Sequence, residues 1–251
     1  MKYFFLLLFS FISLLNIQSS RKVAAKKNTG TVKITFVNTI KGKPIELNTG
    51  SYLNPFAEAY AITKFKYYIS HIALAFNNTV FNDPEIFHLV DESNAESLHF
   101  NFSINAGSYN SFTFMLGVDS IYNVSGAQTG ALDPLNDMFW TWNNGYVMAK
   151  MEGHSPQSKL VNNKVEFHIG GFMGVNNVLK NISLNFPSGK SLTIQEGKTS
   201  EIIIEADFDK WWQQPNDIKI TEQAVCATPG PLAKKIADNY CKMFSIKNVV
   251  N

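Results

Sequence analysis

The side chains most able to do chemistry in this sequence are its five histidines, His71, His88, His99, His154 and His168. An imidazole serves as a base or a metal ligand near neutral pH, so what matters is which of them meet. His88 shares strand parity with Ile86 and Val90, which places it on a face expected to be buried. His168 lies in VEFHIGG, opposite in parity to Val165, Phe167 and Ile169 and just before a double glycine. His71 sits in FKYYISHIALAF, a run apolar on both parities, where an uncharged ring is the natural form. His99 and His154 read as surface or loop residues. Taken singly, each is an ordinary hydrogen-bonded histidine; converging from different strands, they would suit copper or zinc. The thioethers of Met115, Met138, Met148 and Met173 would turn the choice towards cuprous copper.

Other chemistry is poorly represented. There is no G-x-S-x-G, H-E-x-x-H, phosphate-binding P-loop or C-x-x-C, and nothing local supports a Ser/His/Asp triad, so the chain is expected not to be an enzyme. Asp133 and Asp137 flank Pro134 with a spacing that fits no calcium loop, and capping of a turn is the better reading. Between Gly117 and Tyr146 a long polar stretch gives way to Met138, Trp140 and Trp142 at period two, with Phe139 and Thr141 on the other side. These aromatics are either core or the wall of a site. A second class of function follows if Trp140, Trp142, Trp211 and Trp212 are exposed: an adhesion or carbohydrate-binding module stacking on sugar rings. Burial of the indoles separates the two.

The elements that must position these groups are strands. Thr31–Asn38 alternates cleanly, and Phe65–Phe76 reads as a strand covered on both faces or bulged near Ser70. Further strands are expected at Ile86–Asp91, Leu98–Ile104, Tyr109–Leu116, Tyr146–Glu152, Lys164–Ile169, Leu179–Phe186, Glu201–Asp207 and Ile218–Thr221. Near the end, Pro231 opens a helix whose stripe is Leu232, Ile236, Tyr240 and Phe244. The expected architecture is all-β: a single antiparallel β-sandwich with a short C-terminal helix packed against it.

Residues 1–20 (MKYFFLLLFSFISLLNIQSS) have the charge, apolar run and small residues of a secretory signal peptide, and residues 21–30 read as a basic linker before one domain over 31–251. The expected location is therefore periplasmic or secreted, with no membrane span, because no later segment is long and apolar enough. The net charge of +2 misleads. Lys2, Arg21, Lys22, Lys26 and Lys27 precede Asn28 with no acid among them, so the body is net negative and a poor match for nucleic acid. The two cysteines, Cys226 and Cys241, leave a disulfide and a free pair both open.

The segment GVDSIYNVSGAQTGALDPLNDMFWTWNNGYVMAKMEGHSP resembles the MbnP-like family of exported copper-binding proteins. FKYYISHIAL, FHLVD, GSYNSFTFMLGVDS, VEFHIGGF and PGPLAKKIADNYCKMF match its landmarks in order, so the resemblance runs from about Val32 to Phe244. It implies a β-sandwich that holds one copper ion, Cu+ or Cu2+, per chain. It also implies histidine ligands and a tryptophan that a partner di-haem peroxidase-like protein oxidises to kynurenine. On this resemblance His168 matches a recurring family histidine and His88 one common in this branch. Trp140 and Trp142 form the matching W-x-W. His71 stands where Asn or Asp is expected, and is a new ligand or a bystander. The expected site is thus His88 and His168, with His71 a weaker third and Trp140 or Trp142 lining the pocket. Glu166, Asp91 or backbone carbonyls would hold the far ring nitrogens.

Overall fold

The computed structural model describes residues 28–76, 79–141 and 145–251. The expected signal peptide, most of the expected basic linker and Trp142 lie outside them. The strands that matter here are β1 (Thr29–Ile40), β2 (Ala59–Phe76), β3 (Phe87–Asp91), β4 (His99–Asn105), β5 (Ser111–Leu116), β6 (Gly145–His154), β7 (Lys164–Gly170), β8 (Lys180–Asn185), β9 (Thr199–Asp207) and β10 (Phe244–Val250). They form two layers. The smaller sheet runs β10–β9–β1–β4, and the larger runs β8–β5–β2–β6–β7, with β3 on the other edge of β2. Alternation explains the layering: Val32, Ile34 and Phe36 of β1 point into the core, while Lys33 and Thr35 point out. Phe36 meets Tyr67 of β2 edge-on at 6.0 Å, and Phe244 of β10 packs against Tyr67 at 5.6 Å, so the aromatic contact between layers is direct.

The all-β expectation holds, with most pairs antiparallel, but β1 and β9 run parallel from Thr31↔Thr199 to Thr39↔Asp207. β2 is 18 residues long and bulges where the sequence suggested it. Its register with β5 slips between Ser70 and Ala73, and His71 takes a φ of 51° there.

Two expected elements differ. Ile218–Thr221 is not a strand. The Ile220 and Thr221 backbone N–H groups donate instead to the Glu58 carboxylate, at 2.7 and 2.9 Å, so a side chain takes the place of a ladder. The C-terminal helix spans Pro231–Tyr240, and Phe244, expected on its stripe, begins β10. The apolar stripe continues past the helix because Phe244 and Ile246 serve the sandwich core in their turn.

Candidate functional site

β3 and β6 flank β2 on opposite edges, and their registers meet at the same residue. Asp91 of β3 faces Lys66 of β2, Lys66 faces Lys150 of β6, and Lys150 faces His168 of β7. Directly opposed residues share a face, so this polar row crosses the side of the larger sheet turned away from the core. Lys64 and Glu152, two residues along on β2 and β6, form the next row on that face.

The loop after β5 folds over these rows. Gly117 and Gly130 both take positive φ, and 3-10 turns at Gly130–Leu132 and Pro134–Asn136 compact the chain. Asp133 caps the second turn by accepting from Leu135 N at 2.9 Å. Asp137 instead reaches down to the sheet. Its carboxylate lies 2.7 Å from Lys64 Nζ and 3.1 Å from Lys150 Nζ, and Lys150 also donates to its backbone carbonyl. Lys66 donates to the Asn136 carbonyl at 3.2 Å. Lys150 is only 3% exposed. Burial pulls its pKa below the usual lysine value, against the hydrogen bond to Asp137 and the charges of Asp137 and Glu152.

His168 completes the row. Its Nε2 stands 3.0 Å from Glu152 Oε1, and an ionised carboxylate only accepts, so Nε2 carries the proton. Glu152 is also 3.3 Å from Lys64 Nζ and 3.9 Å from Lys150 Nζ. The hydrogen bond from His168, then the two lysines, hold its pKa down to about 2 against burial. One step along the same face of β7 is Gly170, and the Trp140 indole lies over it. A Cβ built on Gly170 would fall 2.6 Å from Trp140 Cη2 and closer still to Cζ3. Trp140 reaches that position through a two-residue strand in which it faces Gly145 of β6. Beside it opens a cleft of about 250 Å3 lined by Trp140, Tyr146, Phe172, Met173 and Pro229.

The structure therefore brings His168 and Trp140 to one face, together with Lys150, Glu152, Lys64 and Asp137. It does not bring the three candidate histidines together. His88 faces Ile69 of β2, on the core side, and stacks on Phe100 of the other sheet at 3.6 Å with the planes 7° apart. It is on the opposite face from His168 and three strand spacings away, about 14 Å. Its Nε2 is bonded to Asp83 at 2.8 Å. His71, expected as an uncharged ring in a covered strand, is turned outward by the bulge, is 46% exposed, and pairs with Asp119 at 2.7 Å. Among the described residues no group of three or more His, Cys, Asp or Glu side chains is placed to hold a metal.

The expected partners of the far ring nitrogens also change. Asp91 is taken by Lys66 at 2.9 Å and Glu166 by Lys164 at 3.3 Å, so neither holds an imidazole. Glu152 was legible only through parity: in VMAKMEGH, Lys150 and Glu152 must share a face, and charged residues inside a strand mark one that something polar covers. Three of the four tryptophans are buried, Trp140 at 7% exposure and Trp211 and Trp212 in the core, so they offer no sugar platform. Cys226 and Cys241 are free thiols, each directed to a carbonyl of its own segment, Thr228 and Asp238.

The family model MbnP matches residues 29–228. Among solved structures, MbnP from Methylosinus trichosporium is similar, with 13% sequence identity, a TM-score of 0.49, and coverage of 76% of this chain and 79% of that one. No curated protein matches.

Proposed function

The chain belongs to the MbnP family, and we propose that it is an exported copper-binding protein whose site lies at His168 on the outer face of the larger sheet. The observation that carries this reading is the pairing of His168 with Glu152 beside Trp140. A metal-ligating histidine characteristically gives its other ring N–H to a carboxylate, which fixes the ring and raises the basicity of the nitrogen left over. Here Nε2 is so engaged and Nδ1 is the nitrogen that remains. In support, His168 keeps one ring nitrogen that a soft ion of low coordination would take, and Met173 lines the cleft beside Trp140; His168, His88 and His71 are not grouped to share an ion.

The ion would supply a soft Lewis-acid or one-electron centre, for storage, delivery or sensing of copper. The chain's own part is to hold the imidazole in one tautomer and to seal the indole against Gly170. The amino-terminal sequence MKYFFLLLFSFISLL supports export. We extend the proposal to oxidation of Trp140 or Trp142 to kynurenine by a di-haem peroxidase-like partner, which would add a donor beside His168.

The test is copper titration of the mature protein and two folded variants. His168→Ala is expected to lose binding, and His88→Ala, changed on the opposite face, to keep it. Wild-type affinity in folded His168→Ala would reject the site. Mass spectrometry of the Asp137–Lys150 peptide from the native host reads the oxidation: an unmodified indole pair there removes the kynurenine.

A further inference from the structure

The bond between His168 and Glu152 is one link in a longer chain of contacts. Glu152 is bound by Lys64, and Lys64 and Lys150 are both bound by Asp137, three residues before Trp140. The loop that places the indole and the carboxylate that holds the imidazole are therefore secured by the same two lysines. Glu166, the nearest other carboxylate on β7, is turned to Lys164 and does not compete for the ring. Among the described residues Glu152 is the hydrogen-bond partner of His168.

We infer that Glu152 is a positioning residue that sets the tautomer of His168, keeping the proton on Nε2 and Nδ1 as the donor atom, while Lys64 and Lys150 keep Glu152 itself in place. A neutral imidazole has one N–H, and in water either nitrogen carries it. A fixed acceptor 3.0 Å from Nε2 selects one form, and the lysines stop the acceptor from rotating away. The same arrangement recurs at His88 with Asp83 and at His71 with Asp119, but neither of those carboxylates is bound by a lysine that also holds the Trp140 loop. The consequence for metal binding rests on the copper reading above; the tautomer does not.

The experiment uses the metal-free, 15N-labelled mature protein at a pH where imidazole is neutral, with two-bond 1H–15N correlation of the histidine side chains. Wild-type His168 is expected as a single Nε2–H tautomer. Glu152→Gln, whose amide oxygen still accepts, should keep it, and Glu152→Ala should show both forms. Cuprous affinity, read by competition with a chromophoric chelator, should fall about 10- to 100-fold in Glu152→Ala and less in Glu152→Gln. An Nδ1–H tautomer in the wild type, or an unchanged Nε2–H tautomer in folded Glu152→Ala, overturns the inference. Should Glu152→Ala not fold, the wild-type spectrum and Glu152→Gln decide. If tautomers shift as stated while no protein binds copper, positioning stands and the copper reading fails.

Discussion

Gly170→Ala tests the site without touching any donor atom. The substitution adds one methyl group, and Gly170 has no positive φ that would strain alanine. Its Cβ meets Tyr146 O at 3.0 Å and Trp140 Cη2 at 2.6 Å, with Cζ3 nearer. Carbon atoms rest about 3.5–4.0 Å apart, so the indole must withdraw by about 1 Å. Overpacking of that size costs about 1–3 kcal/mol, and at this chain length each kcal/mol lowers Tm by about 2–4 °C. The assay is urea denaturation of four proteins: wild type, Gly170→Ala, Trp140→Leu, and the double variant. A smaller side chain at 140 relieves the clash, so the double variant should be more stable than the two single losses predict, with a coupling of about 0.5–3 kcal/mol. Copper affinity should fall in Gly170→Ala while His168 is intact. Strict additivity, or a neutral Gly170→Ala, would refute the placement of the indole over β7 on the face that carries His168.

Other consequences can be checked directly. Glu58 is 5% exposed and accepts from Asn54 Nδ2, Ile220 N, Thr221 N and Thr221 Oγ1, so Glu58→Ala leaves several donors unpaired and should cost about 3–5 kcal/mol in urea denaturation. Burial opposes ionisation of Glu58, but these bonds outweigh it and lower its pKa beneath the ordinary 4.5. The stability it contributes is therefore complete above that value and lost as pH falls through the folded pKa, so acid should destabilise the wild type more steeply than Glu58→Gln. His88→Ala should cost about 2–4 kcal/mol, through the lost stack on Phe100 and a buried Asp83 carboxylate left with only the Glu85 N–H, with copper affinity unchanged. A thiol reagent at pH 8 should leave Cys226 largely unmodified in the native protein, because burial pushes its pKa to about 11, and should titrate both cysteines after denaturation.

How much of this was legible depends on the reach of each signal. Period two in TVKITFVN and KVEFHIG is local, and it located β1 and β7 within a residue or two. The bulge at Ser70 was also local, since an apolar run on both parities means a strand covered on both faces or one that changes face partway along. What sequence could not settle is which face of a shared sheet two strands present. His88 was correctly placed towards buried neighbours, yet that same burial puts it on the core side, away from His168. Ile218–Thr221 has strand-like composition, and the Trp212 carbonyl and the distant Glu58 carboxylate take its backbone donors away from a ladder. Phe244 kept the helical spacing by coincidence: the helix ends at Tyr240, and the next apolar residues belong to β10.

The parallel pairing of β1 with β9 bears on when the protein can fold. Thr31 lies against Thr199, and β9 is closed on its other side only by β10, where Glu201 faces Val250. β1 is thus a central strand of a sheet in which β9 and β10, both far along the chain, complete one side. Contacts so distant in sequence bring their closure entropy forward and their reward late, which slows folding and gives an emerging chain little to collapse upon. A chain with this wiring holds β1 without its parallel partner until β9 is available, and removal of β10 alone should leave β9 as a bare edge open to pairing with another chain.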